Sequence, residues 1–178
     1  LEKFKVKKGE VHTHTSMGHP KGSFYIPEDE QEKLYEIYDE HFKTKNAQAS
    51  LIEKHKECSP FVIDIDFKFD ESLTNRQYTK ENITELIGIY NDLIKKNLII
   101  DDIENDVVAF VFEKKNPYQS KINNKTNPKI IVKDGIHIMY PRLVTTPEVQ
   151  FLIRELVIKN IEELGIFKNI PHTNKLSD

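Results

Sequence analysis

The sequence predicts an α+β fold in which helices cover one face of a mainly antiparallel sheet. Two segments, 59–70 and 130–141, alternate in side-chain character with the period of two that is typical of β-strands. Three other segments carry apolar residues at helical spacing. Because the elements follow one another as βα, βα, ββα, a sheet with a single layer of helices accommodates them.

The first third of the chain predicts two short strands and a helix. The stretches "EVHTHTS" and "SFYI" are typical of strands, and the glycines of the loop between them allow the backbone to approach a ligand closely. A helix is predicted from Pro27, because proline suits a first helical turn and the three acidic residues after it complement the helix dipole. Its apolar stripe, expected in the core, consists of Leu34, Ile37, Tyr38 and Phe42.

The middle of the chain predicts a strand, a helix, a strand and a connection. The first strand is 59–70, and a helix follows "TNRQYTKEN". A second strand is "DVVAFVFEK". The polar segment 115–129 predicts an exposed hairpin connection, because prolines and asparagines favour turns. The apolar face of the helix consists of Ile83, Leu86, Ile87, Tyr90 and Ile94.

The last third predicts a strand at 130–141 and a third helix. Thr146 suits the N-cap of this helix, Pro147 its first position and Gly165 its C-terminal end. Its apolar stripe, also expected in the core, consists of Leu152, Ile153, Leu156 and Ile161.

Two aspartates interrupt the apolar strand 59–70. The odd positions form one apolar face, whereas Asp64 and Asp66 share the opposite face. Residues two apart on a strand lie roughly 6.5–7 Å apart, so these carboxylates can hold one divalent cation or a pair of them. A solvated or salt-bridged strand face is the alternative.

The strand 130–141 adds cationic groups. Its alternation directs Asp134 toward the apolar side and aligns Lys133, Gly135 and His137 on the other. If both strands bury their apolar faces under the same helices, the two aspartates, Lys133 and His137 emerge on one open face. Carboxylates for Mg²⁺ or Mn²⁺, cations for phosphate charge and a glycine gap are what a triphosphate needs. An ordinary half-exposed histidine is the alternative for His137.

Other candidates are less specific. Lys21, in the glycine-containing loop, is either a phosphate- or template-binding residue or a solvated loop lysine. His12 and His14 share a predicted strand face and suggest a metal site, as do His55 and Cys58. Scattered histidine and cysteine without tight paired spacing rarely form zinc sites, however.

Composition narrows the classes of function. The net charge of −3 excludes a uniformly basic surface, so a polyanion would have to bind to a local basic patch or to a bound metal ion. No apolar run approaches the length that crosses a bilayer. A single cysteine excludes an internal disulfide and suits a reducing compartment such as cytosol or nucleus. The length of 178 residues predicts one domain, or a truncated piece of one.

The stretch "VIDID", followed further along the chain by "KDGIHIMYP", resembles the first two motifs of the archaeo-eukaryotic primase superfamily. These motifs are a strand carrying Asp-x-Asp/Glu and a strand carrying small-x-His. The segment "THTSMGHPKGSFYIP" is similar to the amino-terminal segment of the primase-helicases of large nucleocytoplasmic DNA viruses. The resemblance implies an RRM-like catalytic core in which Asp64 and Asp66 ligate catalytic Mg²⁺ or Mn²⁺. It also implies that His137 and Lys133 contact nucleotide phosphates and that Gly135 holds a small position where relatives often have serine.

The same resemblance implies partners and a cellular setting. These are a single-stranded DNA template, nucleoside triphosphates and a helicase region C-terminal in the same polypeptide. The setting is viral DNA replication, in a cytoplasmic replication factory or the nucleus of an infected cell. The third acidic motif of the family should follow the third helix. Asp178 has no strand context there, so the third carboxylate is expected beyond this residue.

Three functions compete at this point. A primase or primase-polymerase would use two metal ions to activate a hydroxyl for attack on an α-phosphate. A nicking endonuclease of the His-hydrophobe-His type would use His12 and His14 with Tyr35 or Tyr38 as nucleophile, but Thr13 is polar where that class has an apolar residue. A non-catalytic RRM-like module would bind single strands, but such modules place aromatics rather than carboxylates on the open face. The first hypothesis is favoured.

Overall fold

The polypeptide folds into two units, each built around its own antiparallel sheet. A computed structural model describes residues 1–43, 50–122 and 129–175. Contacts between residues divide the chain into Leu1–Lys56 and Glu57–Asp178. The expectation of one catalytic domain over the whole chain stays a prediction. In the part of the chain that the structure describes, no helix is long and apolar enough to cross a membrane.

The first unit contains short strands and a helix. Its strands pair in the order β1-β3-β2-β4. Both strands predicted here are present but shorter, since β2 starts at His14 and β3 ends at Phe24. The elements, preceded by a 3₁₀ turn at Glu2–Phe4, are β1 Lys5–Val6, β2 His14–Ser16, β3 Gly22–Phe24, α1 Glu28–Phe42 and β4 Leu51–Glu53.

Helix α1 begins where it was predicted, directly after Pro27. Its apolar stripe is not core, because the helix has no buried residue and Ile37 and Phe42 are half exposed. The prediction for this stripe is therefore wrong. The rings of Tyr38 and Phe42 pack against each other instead, with centroids 5.3 Å apart. Helical periodicity identifies an apolar face, but it does not show whether another element covers that face.

The second unit is a sheet with β8 at its centre. Strand β8 pairs with β5 along one edge and with β6 and β7 along the other. The predicted strand 59–70 is present with those bounds. The elements are β5 Ser59–Asp70, α2 Lys80–Asn97, α3 Ile103–Asp106, β6 Phe110–Glu113, β7 Tyr118–Ile122, β8 Lys129–Thr145 and α4 Pro147–Leu164.

Helices α2 and α4 pack against each other and on one face of this sheet. The predicted apolar face of α2 is confirmed, and α4 ends at Gly165, whose φ of 67° is the left-handed conformation that glycine favours. On α4 the prediction is wrong for Leu152, which is 57% exposed, and for Leu156, which is only partly buried, because the buried stripe runs through Val157 instead. The buried helical residues are Ile83, Leu86, Tyr90, Ile94, Ile153, Val157 and Ile161.

The outer edge of β8 is paired by two strands in succession. An exposed hairpin connection was predicted over 115–129, but Tyr118–Ile122 forms the strand β7, and residues 123–128 lie outside the described part. Strands pair through hydrogen bonds between backbone N–H and C=O groups, so polar side chains do not prevent an edge strand from forming. Residues 114–117 separate β6 from β7 opposite the middle of β8.

An arginine holds the segment 114–117 against the core. Asp134 is fully buried on the core face of β8, where Arg76 donates to its two carboxylate oxygens from Nε at 3.0 Å and Nη2 at 3.3 Å. The amide of Gly135 donates to the same carboxylate at 2.9 Å. Arg76 Nη2 also donates to the carbonyl of Lys114. The hydrogen bonds to Asp134 raise the pKa of Arg76, and the bond to the Lys114 carbonyl holds the chain between β6 and β7 against the sheet.

Candidate active site on the open sheet face

The sheet face opposite α2 and α4 brings the predicted site residues of the second unit together. The residues that lie directly opposite each other on β5 and β8 are Asp64 and His137, Asp66 and Gly135, and Lys68 and Lys133. The core-facing neighbours on both strands are buried, except Ile65, which is partly buried, whereas both aspartates and His137 are exposed. This placement on adjacent strands agrees with the alternation of the two sequences. The roles of these residues in metal and nucleotide binding stay predictions.

Asp64 and His137 contact each other on this face. His137 Nε2 lies 3.3 Å from Asp64 Oδ1, and the two side chains are 53% and 56% exposed. Directly opposite side chains on antiparallel strands are neighbours, which explains the contact. An imidazole that carries a proton on Nε2 donates to the carboxylate, so His137 can orient Asp64 or present the same N–H to an anionic ligand.

Asp66 pairs with a lysine that the sequence did not indicate. Lys114 Nζ lies 3.7 Å from Asp66 Oδ1. Lys114 lies in the segment 114–117 between β6 and β7. The hydrogen bond from Arg76 to its carbonyl positions it. No periodic pattern includes this lysine, and its place near Asp66 depends on the pairing of β6 with β8.

Two lysines face each other at one end of the site. Lys68 and Lys133 are directly opposite and both are partly buried. Like charges in such positions repel each other. An anion between the ammonium groups removes the repulsion, so this pair suits phosphate. The alternation of β5 predicts Lys68 on this face, although it does not indicate a role for this lysine.

Gly135 occupies a crowded position beside Asp66. A Cβ added there would meet the backbone oxygen of Ile65 far inside van der Waals contact and would lie 3.1 Å from Asp66 Oδ1. A backbone oxygen cannot swing aside as the end of a flexible side chain can. The spacing of β5 and β8 therefore favours glycine here, and the predicted role of Gly135 in nucleotide binding stays a prediction.

The donor chemistry of the site fits a hard divalent ion. Mg²⁺ and Mn²⁺ prefer carboxylate, phosphate and water oxygens, and Asp64 and Asp66 supply two carboxylates. Over residues 1–43, 50–122 and 129–175, no group of three or more His, Cys, Asp or Glu side chains is arranged to hold a metal. The two aspartates thus fit an ion that also takes oxygens from water and from a phosphate ligand.

A C-terminal segment lies along the outer edge of β5, next to Asp66. The Thr173 amide donates to the Lys68 carbonyl at 2.7 Å. The side chain of Asn174 donates to the Asp66 carbonyl at 2.9 Å and accepts from the Lys68 amide at 2.8 Å. Asn174 therefore imitates the peptide group of a neighbouring strand. Asp178, considered as a third carboxylate, lies outside the described residues.

The remaining candidates lie largely in the first unit. Lys21 is exposed before β3, and its predicted phosphate or template contact stays a prediction. His12 precedes β2 and so does not share a strand with His14, contrary to the sequence analysis. His14 is buried, with Nδ1 2.9 Å from Thr13 Oγ1. Burial lowers the pKa of His14, an effect that Glu53 opposes.

The candidate zinc pairs find no support in the part of the chain that the structure describes. No group of three potential ligands forms around the paired histidines of the first unit or around the exposed Cys58.

Comparison with known proteins identifies the family. Residues 13–178 match the family model described as "C962R protein N-terminal AEP domain", in which AEP denotes archaeo-eukaryotic primase. The chain belongs to the archaeo-eukaryotic primase family. The family resemblance and the α+β fold predicted from the sequence are thereby confirmed.

Two viral proteins are similar to this primase-family chain. "Putative helicase L207/L206" of Acanthamoeba polyphaga mimivirus is 35% identical over 164 residues, which cover 92% of this chain and 16% of the relative. "Putative helicase 184R" of Invertebrate iridescent virus 6 is 31% identical over 140 residues, which cover 74% and 14%. The primase-family chain thus spans a small part of the length of these relatives.

Proposed function

We propose that this chain is the catalytic domain of a DNA-dependent primase or primase-polymerase that acts in viral DNA replication. The observation that carries the proposal is the pairing of Asp64 with His137 beside Asp66, on the open sheet face of a primase-family chain. The similarity to viral proteins named as helicases supports a longer polypeptide that also contains a helicase region.

In this proposal the residues of the open face bind a nucleoside triphosphate and position it for nucleotidyl transfer. Asp64 and Asp66 would hold the divalent ion, and the Lys68–Lys133 pair contacts phosphate oxygens. When bound, Mg²⁺ or Mn²⁺ stabilises charge on the α-phosphate and favours deprotonation of the attacking hydroxyl. His137 donates from Nε2 to a phosphate oxygen. Lys114 can leave Asp66 and bind the same phosphate group. The hydroxyl oxygen forms the new bond to the α-phosphate, pyrophosphate leaves, and the hydroxyl proton passes to solvent.

A third carboxylate is part of the proposal. Two-metal phosphoryl transfer holds its ions about 3.5–4 Å apart, which requires several anionic ligands. Thr173 and Asn174 run along β5 beside Asp66, so residues that follow them in a longer polypeptide would start next to the site. We expect residues 1–178 to bind a metal–nucleoside triphosphate weakly without making primers, and we expect the longer polypeptide to make them. Comparable synthesis by the two proteins would contradict this expectation.

The test is template-dependent nucleotide incorporation by the longer polypeptide. The double variant Asp64→Asn with Asp66→Asn should abolish incorporation while the protein stays folded, since both side chains are more than half exposed. Asp70→Asn is the matched control, because Asp70 is an exposed aspartate on the same strand and face. Circular dichroism checks folding. Unchanged synthesis by the double variant would refute the proposal.

A further inference from the structure

The outer strands of the second sheet expose a row of aromatic rings on the open face. Phe110, Phe112 and Tyr118 are 52%, 55% and 47% exposed. Phe112 lies directly opposite His137, and Tyr118 lies directly opposite Lys133. Side chains of directly paired residues project from the same face of a sheet. The aromatic row therefore shares its face with the two aspartates.

Exposure of this kind is informative because the three rings follow one edge of the same sheet face. Single exposed apolar side chains are ordinary, but contiguous exposed apolar groups with a polar border mark an interaction surface. The row lies two strands away from Asp64, about 9–10 Å across the sheet. A ligand that contacts both features extends over the sheet from the carboxylates to its outer edge.

The charges around the row indicate the chemistry of that ligand. Lys114 lies along the chain between Phe112 and Tyr118, with Nζ 5.0 Å from the centre of the Tyr118 ring. Lys133 lies opposite Tyr118, and Lys68 lies opposite Lys133. Aromatic faces bordered by ammonium groups match a strand whose bases are planar and whose backbone is anionic.

We propose that Phe110, Phe112 and Tyr118 form a stacking platform for the bases of single-stranded DNA. The choice of DNA as the strand rests on the proposed function, whereas the platform itself rests on exposure, register and charge. Stacking on aromatic rings tolerates any base, as a template-reading surface requires. The carboxylate row and the aromatic row then contact two different parts of the reacting complex.

The experiment measures binding of a fluorescein-labelled oligothymidine to the 178-residue chain by anisotropy, without metal or nucleotide. Phe110→Leu combined with Phe112→Leu keeps apolar bulk but removes the ring faces, and it should weaken binding about 5- to 100-fold. Phe112→Tyr retains a ring and should bind almost as tightly as the wild type. Phe151→Leu is the matched control, since Phe151 is an exposed aromatic on helix α4 rather than on the sheet.

The outcomes separate the platform from the catalytic site. Asp64→Asn with Asp66→Asn should leave oligothymidine binding intact or tighten it, because Lys114 then loses its carboxylate partner, while it abolishes synthesis in the longer polypeptide. Unchanged oligothymidine affinity in the double leucine variant overturns the platform, even if the aspartate variant is inactive. The platform is also overturned if the double leucine variant loses only nucleoside triphosphate binding. The same conclusion follows if sedimentation shows that the aromatic row joins two copies of the chain. A folded leucine variant with reduced binding supports the platform even if synthesis proves independent of the aspartates.

Discussion

Replacement of Arg76 by methionine tests how strongly the buried ion pair stabilises the second unit. The variant keeps the aliphatic part of the side chain but removes the guanidinium that donates to both oxygens of Asp134. Asp134 has no exposed surface, so its carboxylate cannot be rehydrated without local opening of the structure. Breaking a buried pair by removing one partner costs about 3–5 kcal/mol. Arg76 itself is 27% exposed, which favours the lower end, about 3 kcal/mol.

The assay is urea unfolding followed by circular dichroism, with the free energy of unfolding compared at constant m-value. Arg142→Met is the control, because it removes an exposed arginine from β8 and should change the free energy by less than about 0.5 kcal/mol. Adding Asp134→Asn to the Arg76→Met variant should recover much of the loss, since a neutral amide is cheaper to leave buried. The reasoning is refuted if Arg76→Met resembles the control, or if the second substitution deepens the loss.

Three further substitutions probe the site and the first unit. Gly135→Ala should lower the free energy of unfolding by about 1–3 kcal/mol, because its Cβ meets the Ile65 carbonyl; urea unfolding that matches the wild type would contradict this. Lys114→Met should tighten Mn²⁺ binding less than about fivefold, because it removes a cation from an exposed pair with Asp66; weaker binding in a calorimetric titration would count against the assigned geometry. Burial lowers the pKa of His14 below its usual 6.5, so the unfolded state takes up a proton first and stability should fall as pH decreases below that value. His14→Gln should flatten this dependence in urea unfolding at several pH values, and an unchanged slope would exclude His14 as its source.

Local patterns predicted much of the second unit. Alternation placed Asp64, Asp66 and His137 on one face because both strands also had apolar faces to bury, and burial removes the ambiguity of register. The third helix was predicted well because Pro147 and Gly165 fix its two ends through backbone chemistry that needs no tertiary contact.

The features that the sequence did not predict depend on contacts between distant segments. The stretch around Phe110 and Phe112 is apolar at successive positions, so alternation alone cannot determine which face the rings occupy. Lys114 lies near Asp66 because β6 pairs with β8 and because Arg76, a residue of the loop before α2, hydrogen-bonds the Lys114 carbonyl. The apolar stripe of α1 illustrates the converse, since a pattern typical of burial has no buried residue.

The facing lysines Lys68 and Lys133 make ionic strength act in two opposite directions on this domain. Dissolved salt screens the repulsion between their ammonium groups, so a concentrated buffer should favour the folded sheet. The same salt weakens the association of a nucleic-acid backbone with lysines, because counterions released into a more concentrated salt solution gain less entropy. High salt that stabilises the purified protein would therefore weaken the binding of nucleic acid and make it harder to detect.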